Sequence, residues 1–157
     1  MKILSFLMQD SLVQVSSSNT GDVDRDLIVS RLNYIKSQEN FEWVYSHKIH
    51  YLNIPISFDI ETSSFYEGIA KKAIMYIWTC NVNGTTFIGR TWKQFTQLLD
   101  LMSEVFGLIK YNKRCLIYVH NLEYEFQFMR KWFDWHDIFA DDKRQPLYAV
   151  TKGGVER

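Results

Sequence analysis

Asp59 and Glu61 stand two positions apart in the run Ile54-Pro55-Ile56-Ser57-Phe58-Asp59-Ile60-Glu61. The apolar, β-branched character of that run predicts a strand, with Pro55 at its edge. Side chains alternate along a strand, so both carboxylates should project from one face while Phe58 and Ile60 take the other. Two like charges so close repel, and at the end of a buried strand they are costly unless a cation sits between them. Hard oxygen ligands favour Mg²⁺ or Mn²⁺ for that role. The other reading is a frayed strand end with both acids hydrated, because so short a motif recurs by chance.

A second acid comes from His120-Asn121-Leu122-Glu123-Tyr124-Glu125-Phe126-Gln127-Phe128. Asn121 can cap a helix there, and Glu125 shares a face with Phe128, Met129 and Trp132 at helical spacing. That stripe should face the sheet. A buried acid is seldom left unpaired, so Glu125 meets either an Arg or Lys or a metal. His47-x-x-His50 reads as an amphipathic strand or turn ahead of a metal site. No Gly-rich phosphate loop, nucleophile elbow or zinc pattern occurs.

The elements that must position these residues follow from periodicity and turn chemistry. Residues 73–80 and 85–88 flank Asn83-Gly84, a two-residue hairpin signal, so three antiparallel strands are expected at the front of the fold. Thr91-Trp92-Lys93-Gln94 is a capping box in which the Gln94 side chain should reach back to the Thr91 backbone. The helix it opens carries Trp92, Phe95, Leu98, Leu99, Met102, Val105 and Phe106 on one face and ends at Gly107. Residues 114–119 read as one buried strand, followed by a second amphipathic helix to about residue 135. Upstream, the polar residues 16–21 read as a loop before a helix capped by Asp22 or Asp24, with Leu27, Ile28, Leu32 and Ile35 at helical spacing. Strands, helix, strand, helix in this order make an α/β fold with a mixed sheet flanked by helices. Residues 1–53 are expected to be an N-terminal extension and 54–157 the main domain.

The C-terminal segment reads as a strand at 146–151 and a turn at Gly153-Gly154, with the returning strand missing. An unpartnered strand exposes backbone groups, so the expectation is a truncated domain or one completed by another chain.

Composition narrows the partners. Lys+Arg 18 balances Asp+Glu 18 in 157 residues, so any nucleic-acid contact must be confined to a local groove. Cys80 and Cys115 each lie in apolar runs without metal spacing and read as buried reduced thiols. The apolar start, Met1 to Met8, is broken by Gln9-Asp10, well short of a membrane span, so a soluble protein of the cytoplasm with no membrane partner is expected.

Two stretches carry a family resemblance. Ser57-Phe58-Asp59-Ile60-Glu61-Thr62 resembles the first exonuclease motif of family B DNA polymerases, and Tyr118-Val119-His120-Asn121-Leu122-Glu123-Tyr124-Glu125 resembles the second. The similarity is greatest to the protein-primed branch of phage and linear-plasmid polymerases and covers about residues 54–152, in order. It implies a ribonuclease H-like 3′→5′ exonuclease fold and two-metal hydrolysis, with two Mg²⁺ or Mn²⁺ ions roughly 4 Å apart. Asp59, Glu61 and Glu125 would be the catalytic metal ligands. Thr62, Tyr118, His120, Asn121, Tyr124 and Phe128 would hold the single-stranded DNA 3′ end, where stacking accepts any base; for Tyr124 and Phe128 ordinary helix packing is the alternative. A downstream polymerase segment or completing chain and a terminal protein are the further partners it implies, in a host cytoplasm.

Two departures stand out. The family usually has Asp where this chain has Glu125, and the added methylene moves the carboxylate by about one C–C bond, enough to alter metal geometry. The third motif, a Tyr with an Asp four residues later, has no counterpart, since Tyr148 is followed by Lys152, and Asp134, Asp137, Asp141 and Asp142 lack the spacing. The polymerase motifs are absent too. A second expectation therefore stands beside the enzyme: a catalytically inert phage protein that keeps the fold to grip single-stranded DNA or a host protein. A third is a related exoribonuclease, distinguished by the 2′-hydroxyl.

Overall fold

A computed structural model describes residues 12–18, 21–108, 112–140, 146–151 and 155–156. The apolar start at Met1 to Met8, Asp141 and Asp142, and the Gly153-Gly154 turn lie outside the described residues.

The alternation of Ile56, Phe58 and Ile60 with Ser57, Asp59 and Glu61 does produce a strand, β4 (Ile56–Glu67), with the first set buried and the second exposed. It pairs antiparallel with β5 (Ala70–Val82), which pairs antiparallel with β6 (Thr85–Gly89). Asn83 and Gly84 between them take φ of 51° and 95°, the positive values a tight hairpin turn requires, and the Asn81 side chain accepts from Gly84 N. β1 (Leu12–Gln14) joins β6 in parallel, and β8 (Tyr118–Val119) joins β4 in parallel. The strand order is β1-β6-β5-β4-β8, with β5 alone running opposite to the rest.

Helix α2 (Trp92–Phe106) covers one face of this sheet. Phe95 stacks on Phe58 with ring centroids 4.3 Å apart and meets Trp78 at 5.1 Å. Burying each such ring contributes about 1.5–3 kcal/mol, so this aromatic cluster anchors the helix to the strand that carries the acids. Thr91 caps the helix by accepting from Gln94 N, and Gly107 closes it at φ 71°. The Gln94 side chain departs from the expected capping box. Its oxygen accepts from Arg90 N, one residue before Thr91, and its amide donates to the carbonyls of Ser18 and Gly21. Gln94 is buried, and donating to the Ser18 and Gly21 carbonyls satisfies its amide where a simple box would leave it unpaired.

Helix α1 (Arg25–Lys36) is capped by Asp24 and buries Ile28, Leu32 and Ile35 against α2, while Leu27 is exposed. Residues before 54 thus contribute β1 and α1 to the same core, together with the hairpin β2 (Trp43–Ser46) and β3 (Ile49–Leu52). That hairpin belongs to a second sheet, ordered β2-β3-β7-β11-β10-β9, with β7 (Lys113–Leu116), β9 (Trp135–Ala140), β10 (Pro146–Thr151) and β11 (Val155–Glu156).

Three elements differ from the sequence expectation. The single strand read at 114–119 is two: β7 pairs with β3 and β8 with β4, the change falling at buried Ile117. Each half takes the partner edge nearest to it, which a local apolar run cannot reveal. The helix read to about 135 ends at Met129, and Trp135–Ala140 is a strand paired with β10. A returning strand also exists, since β11 pairs antiparallel with β10 and parallel with β7. Cys80 and Cys115 are buried, as expected. Among the described residues no helix is long and apolar enough to cross a membrane.

Gly89 lies opposite Trp78, and a Cβ there would fall 2.2 Å from the indole Cζ2. Trp78 is fully buried and donates its Nε1 hydrogen to Thr91 O at 2.8 Å. Gly89→Ala is therefore expected to destabilise the fold by about 1–3 kcal/mol through overpacking. Urea denaturation measures this; a loss below about 0.5 kcal/mol, the range of neutral surface changes, would show that the indole can shift freely.

Candidate metal centre

The parallel register of Ser57 with Tyr118 and Phe58 with Val119 brings the end of β8 alongside Asp59. The chain then turns at His120 into helix α3 (Leu122–Met129), whose start is fixed by Asn121: its side chain accepts from Tyr124 N at 3.2 Å and its carbonyl from Glu125 N at 3.0 Å. Capping by Asn121 thus points the first turn of α3 at β4.

Glu125 is the outcome of that placement. It is 3% exposed, with Asp59 as its hydrogen-bonding neighbour. Burial first, then the hydrogen bond to Asp59 and the Asp59 charge, push the Glu125 carboxyl up from an ordinary 4.5 to about 8. At neutral pH the Glu125 carboxyl therefore keeps its proton. The second Glu125 oxygen, Oε2, is buried with no hydrogen-bond partner. Among the described residues, no Lys or Arg forms an ion pair with Asp59, Glu61 or Glu125. An orphaned buried carboxylate oxygen beside a second carboxylate fits a hard divalent cation.

Glu61 lies on the Asp59 face, two residues further along β4, and is exposed. Among the described residues no three His, Cys, Asp or Glu side chains gather into a metal-holding group, so the structure brings Asp59 and Glu125 together and leaves Glu61 outside that pair. His47 occupies a positive-φ turn and His50 packs against Tyr45 on the neighbouring strand, apart from any such group.

The remaining expected residues fall into two sets. Thr62 Oγ1 and the Tyr124 hydroxyl are 2.7 Å apart, and Tyr124 meets Phe128 edge-on, so these three form one braced row between β4 and α3. Tyr118 and His120, both exposed, line a cleft of about 420 Å³ together with Asp59. Phe58 and Val119 line it too, as do the polar Ser57, Thr79, Asn81 and Thr86, which sequence reasoning did not single out as site residues. Their signal was present as polar positions alternating with Trp78, Cys80, Val82 and Phe87, read only as strand periodicity. Of the later acids, Asp134 and Asp137 are exposed and Asp137 sits on β9.

No protein-family model matches the sequence, and no curated protein matches it. A search of solved structures finds the catalytic core of RRP6 from Trypanosoma brucei at a TM-score of 0.37 and 12% identity, covering 76% of this chain and 25% of that one. This chain thus spans about a quarter of that protein, and so low a likeness assigns neither activity nor substrate.

Because the Glu125 pKa is raised on folding, the folded state holds a proton that the unfolded chain releases above 4.5. The stability linked to that proton is fully present below 4.5 and is lost as pH rises to about 8. In EDTA, the melting temperature should therefore fall across this window more steeply for the natural chain than for Glu125→Gln. Parallel curves would show that Glu125 takes up no proton on folding.

Proposed function

We propose that this chain is a portion of a ribonuclease H-like 3′→5′ exonuclease domain of the protein-primed family B polymerase type, hydrolysing the 3′ end of single-stranded DNA with divalent metal. The observation that carries the reading is the contact of buried Glu125, one oxygen orphaned, with Asp59 across two motifs 66 positions apart in sequence. A parallel strand placed beside the first strand of an antiparallel trio, with the acid-bearing helix directly after it, supports the reading further.

Asp59 and Glu125 would hold the cation and Glu61 would complete its ligands from the same strand face. Bound there, divalent ions supply an activated water and stabilise the departing 3′ oxygen. The chain's own residues do the rest. Glu125 gives up its proton when a cation replaces it as the partner of Asp59. The Thr62–Tyr124 hydrogen bond fixes the phenol, so that Tyr124 and Phe128 present ring surfaces to an unpaired base without losing rotamer freedom at that moment. Tyr118 and His120, at the mouth of the polar cleft, offer a stacking face and a hydrogen-bonding ring to the terminal nucleotide. The missing third motif implies that further ligands come from another segment or chain.

The separation of Glu61 from the Asp59–Glu125 pair favours a second reading, in which the fold binds single-stranded DNA or a protein without cleaving. Mn²⁺ at pH 8 should raise the melting temperature of the natural chain and leave Asp59→Asn and Glu125→Gln unmoved, since only a ligand that prefers the native state stabilises it. Incubation of 5′-labelled single-stranded DNA or RNA with Mn²⁺, with and without the completing polymerase segment, should give a 3′ ladder on DNA that Asp59→Ala abolishes. Metal-induced stabilisation without any ladder would favour the binding module; a ladder on RNA alone would make it an exoribonuclease.

A further inference from the structure

β4 and β5 run far beyond their neighbours. β8 pairs with β4 only at Ser57 and Phe58, and β6 pairs with β5 only from Trp78 to Val82. From there, among the described residues, the two strands pair only with each other, as a ribbon to the turn at Gly68, which has φ 63°. The ribbon carries Phe65, Tyr66, Ile69, Ile74 and Tyr76 in exposed positions, with Tyr66 72% exposed, and the cations Lys71 and Lys72. An isolated two-stranded ribbon is marginal in water, and one that exposes so many large apolar side chains gains from a ligand.

The register shows where that ligand would lie. The irregularity between Glu61 and Thr62 inserts its extra residue, Tyr76, on β5, so the alternation along β4 continues unbroken. Ser57, Asp59, Glu61, Ser63 and Phe65 therefore share one face. Phe65 is the cross-strand partner of Lys72, so an aromatic and a basic side chain leave neighbouring positions on the face that bears the acids. At about 3.3 Å per residue, Phe65 is about 13 Å beyond Glu61 and about 20 Å beyond Asp59. The Lys72 ammonium is held by Glu67, an exposed ion pair of small net value that a phosphate can displace.

The geometry points to this ribbon as a single-strand guide: Phe65 stacks a base several nucleotides inward from a 3′ end held at Asp59, and Lys72 meets an adjacent phosphate. The inference rests on the exonuclease reading and names a part of the substrate beyond the scissile end. An aromatic next to a cation, continuous with a carboxylate site, suits a nucleic-acid strand better than a protein partner, because it pairs a π-face with an anion contact without sequence preference.

Binding of a 5′-fluorescein oligothymidylate of about ten nucleotides, within single-strand site sizes, can be followed by anisotropy in Ca²⁺. Phe65→Ala should weaken it at least about fivefold, and Lys72→Ala should lower the salt-dependence slope by about 0.7, while Tyr34→Ala on α1 changes neither. Hydrolysis of a dinucleotide, too short to reach Phe65, should be the same in Phe65→Ala as in the natural chain. Equal affinity of Phe65→Ala and the natural chain for the longer strand, alongside intact hydrolysis, overturns the guide and leaves the exonuclease standing. A natural chain that neither binds nor hydrolyses either oligonucleotide, even with the completing polymerase segment present, overturns both. If Phe65→Ala leaves DNA affinity intact and instead dissolves a dimer in sedimentation velocity, the ribbon is a protein-pairing surface and the guide is wrong.

Discussion

A carboxyl group withdrawn from water must keep its proton, meet a cation or collect several hydrogen-bond donors. Glu125 does the first, held against Asp59 with its other oxygen unmatched. Such an arrangement is a cost to the fold unless another ligand offsets it, because two apolar side chains of the same size would pack there without penalty. On the proposed reading the pair would take a divalent ion, and the surrounding elements are the means of bringing two acids from distant motifs into one place.

That forcing depends on a strand shared between two sheets. β7 belongs to the sheet of β3, whereas β8, only two residues long, belongs to the sheet of β4. The aromatic cluster of Phe58, Trp78 and Phe95 fixes β4 against α2, so the position of Asp59 is set by core packing, and the position of Glu125 by β8 and the Asn121 cap. Neither acid is placed by a flexible loop. Rigid placement on a strand and on the first turn of a helix is what a metal site needs, since ligand displacements of a few tenths of an ångström alter coordination.

The two faces of the first sheet divide the labour. Phe58, Trp78, Cys80, Val82 and Phe87 face the helices and supply cohesion, while Ser57, Asp59 and Glu61 stay in contact with solvent alongside the half-exposed Thr79, Asn81 and Thr86. The polar face continues past the rest of the sheet onto the ribbon, so binding chemistry and stability are separated by nothing more than the two-residue period of a strand.

Much of this was legible in the chain itself. The alternation at 56–61, the Asn83-Gly84 turn, the Thr91 and Asn121 caps and the Gly107 stop act within a few residues, so local sequence dictates them and the structure realises each. The acids at 59, 61 and 125 could be named for the same reason. Pairing between distant segments could not. The division of 114–119 between two sheets, the strand at Trp135–Ala140, the use of Gln94 to hold the Ser18 and Gly21 carbonyls and the length of the β4–β5 ribbon all depend on which edge or backbone group lies nearby after folding. So does the selection of Glu125 over Glu61 as the partner of Asp59: strand alternation puts Asp59 and Glu61 on one face, but only the parallel register of β8 with β4 carries a helix, and its buried acid, across to meet Asp59.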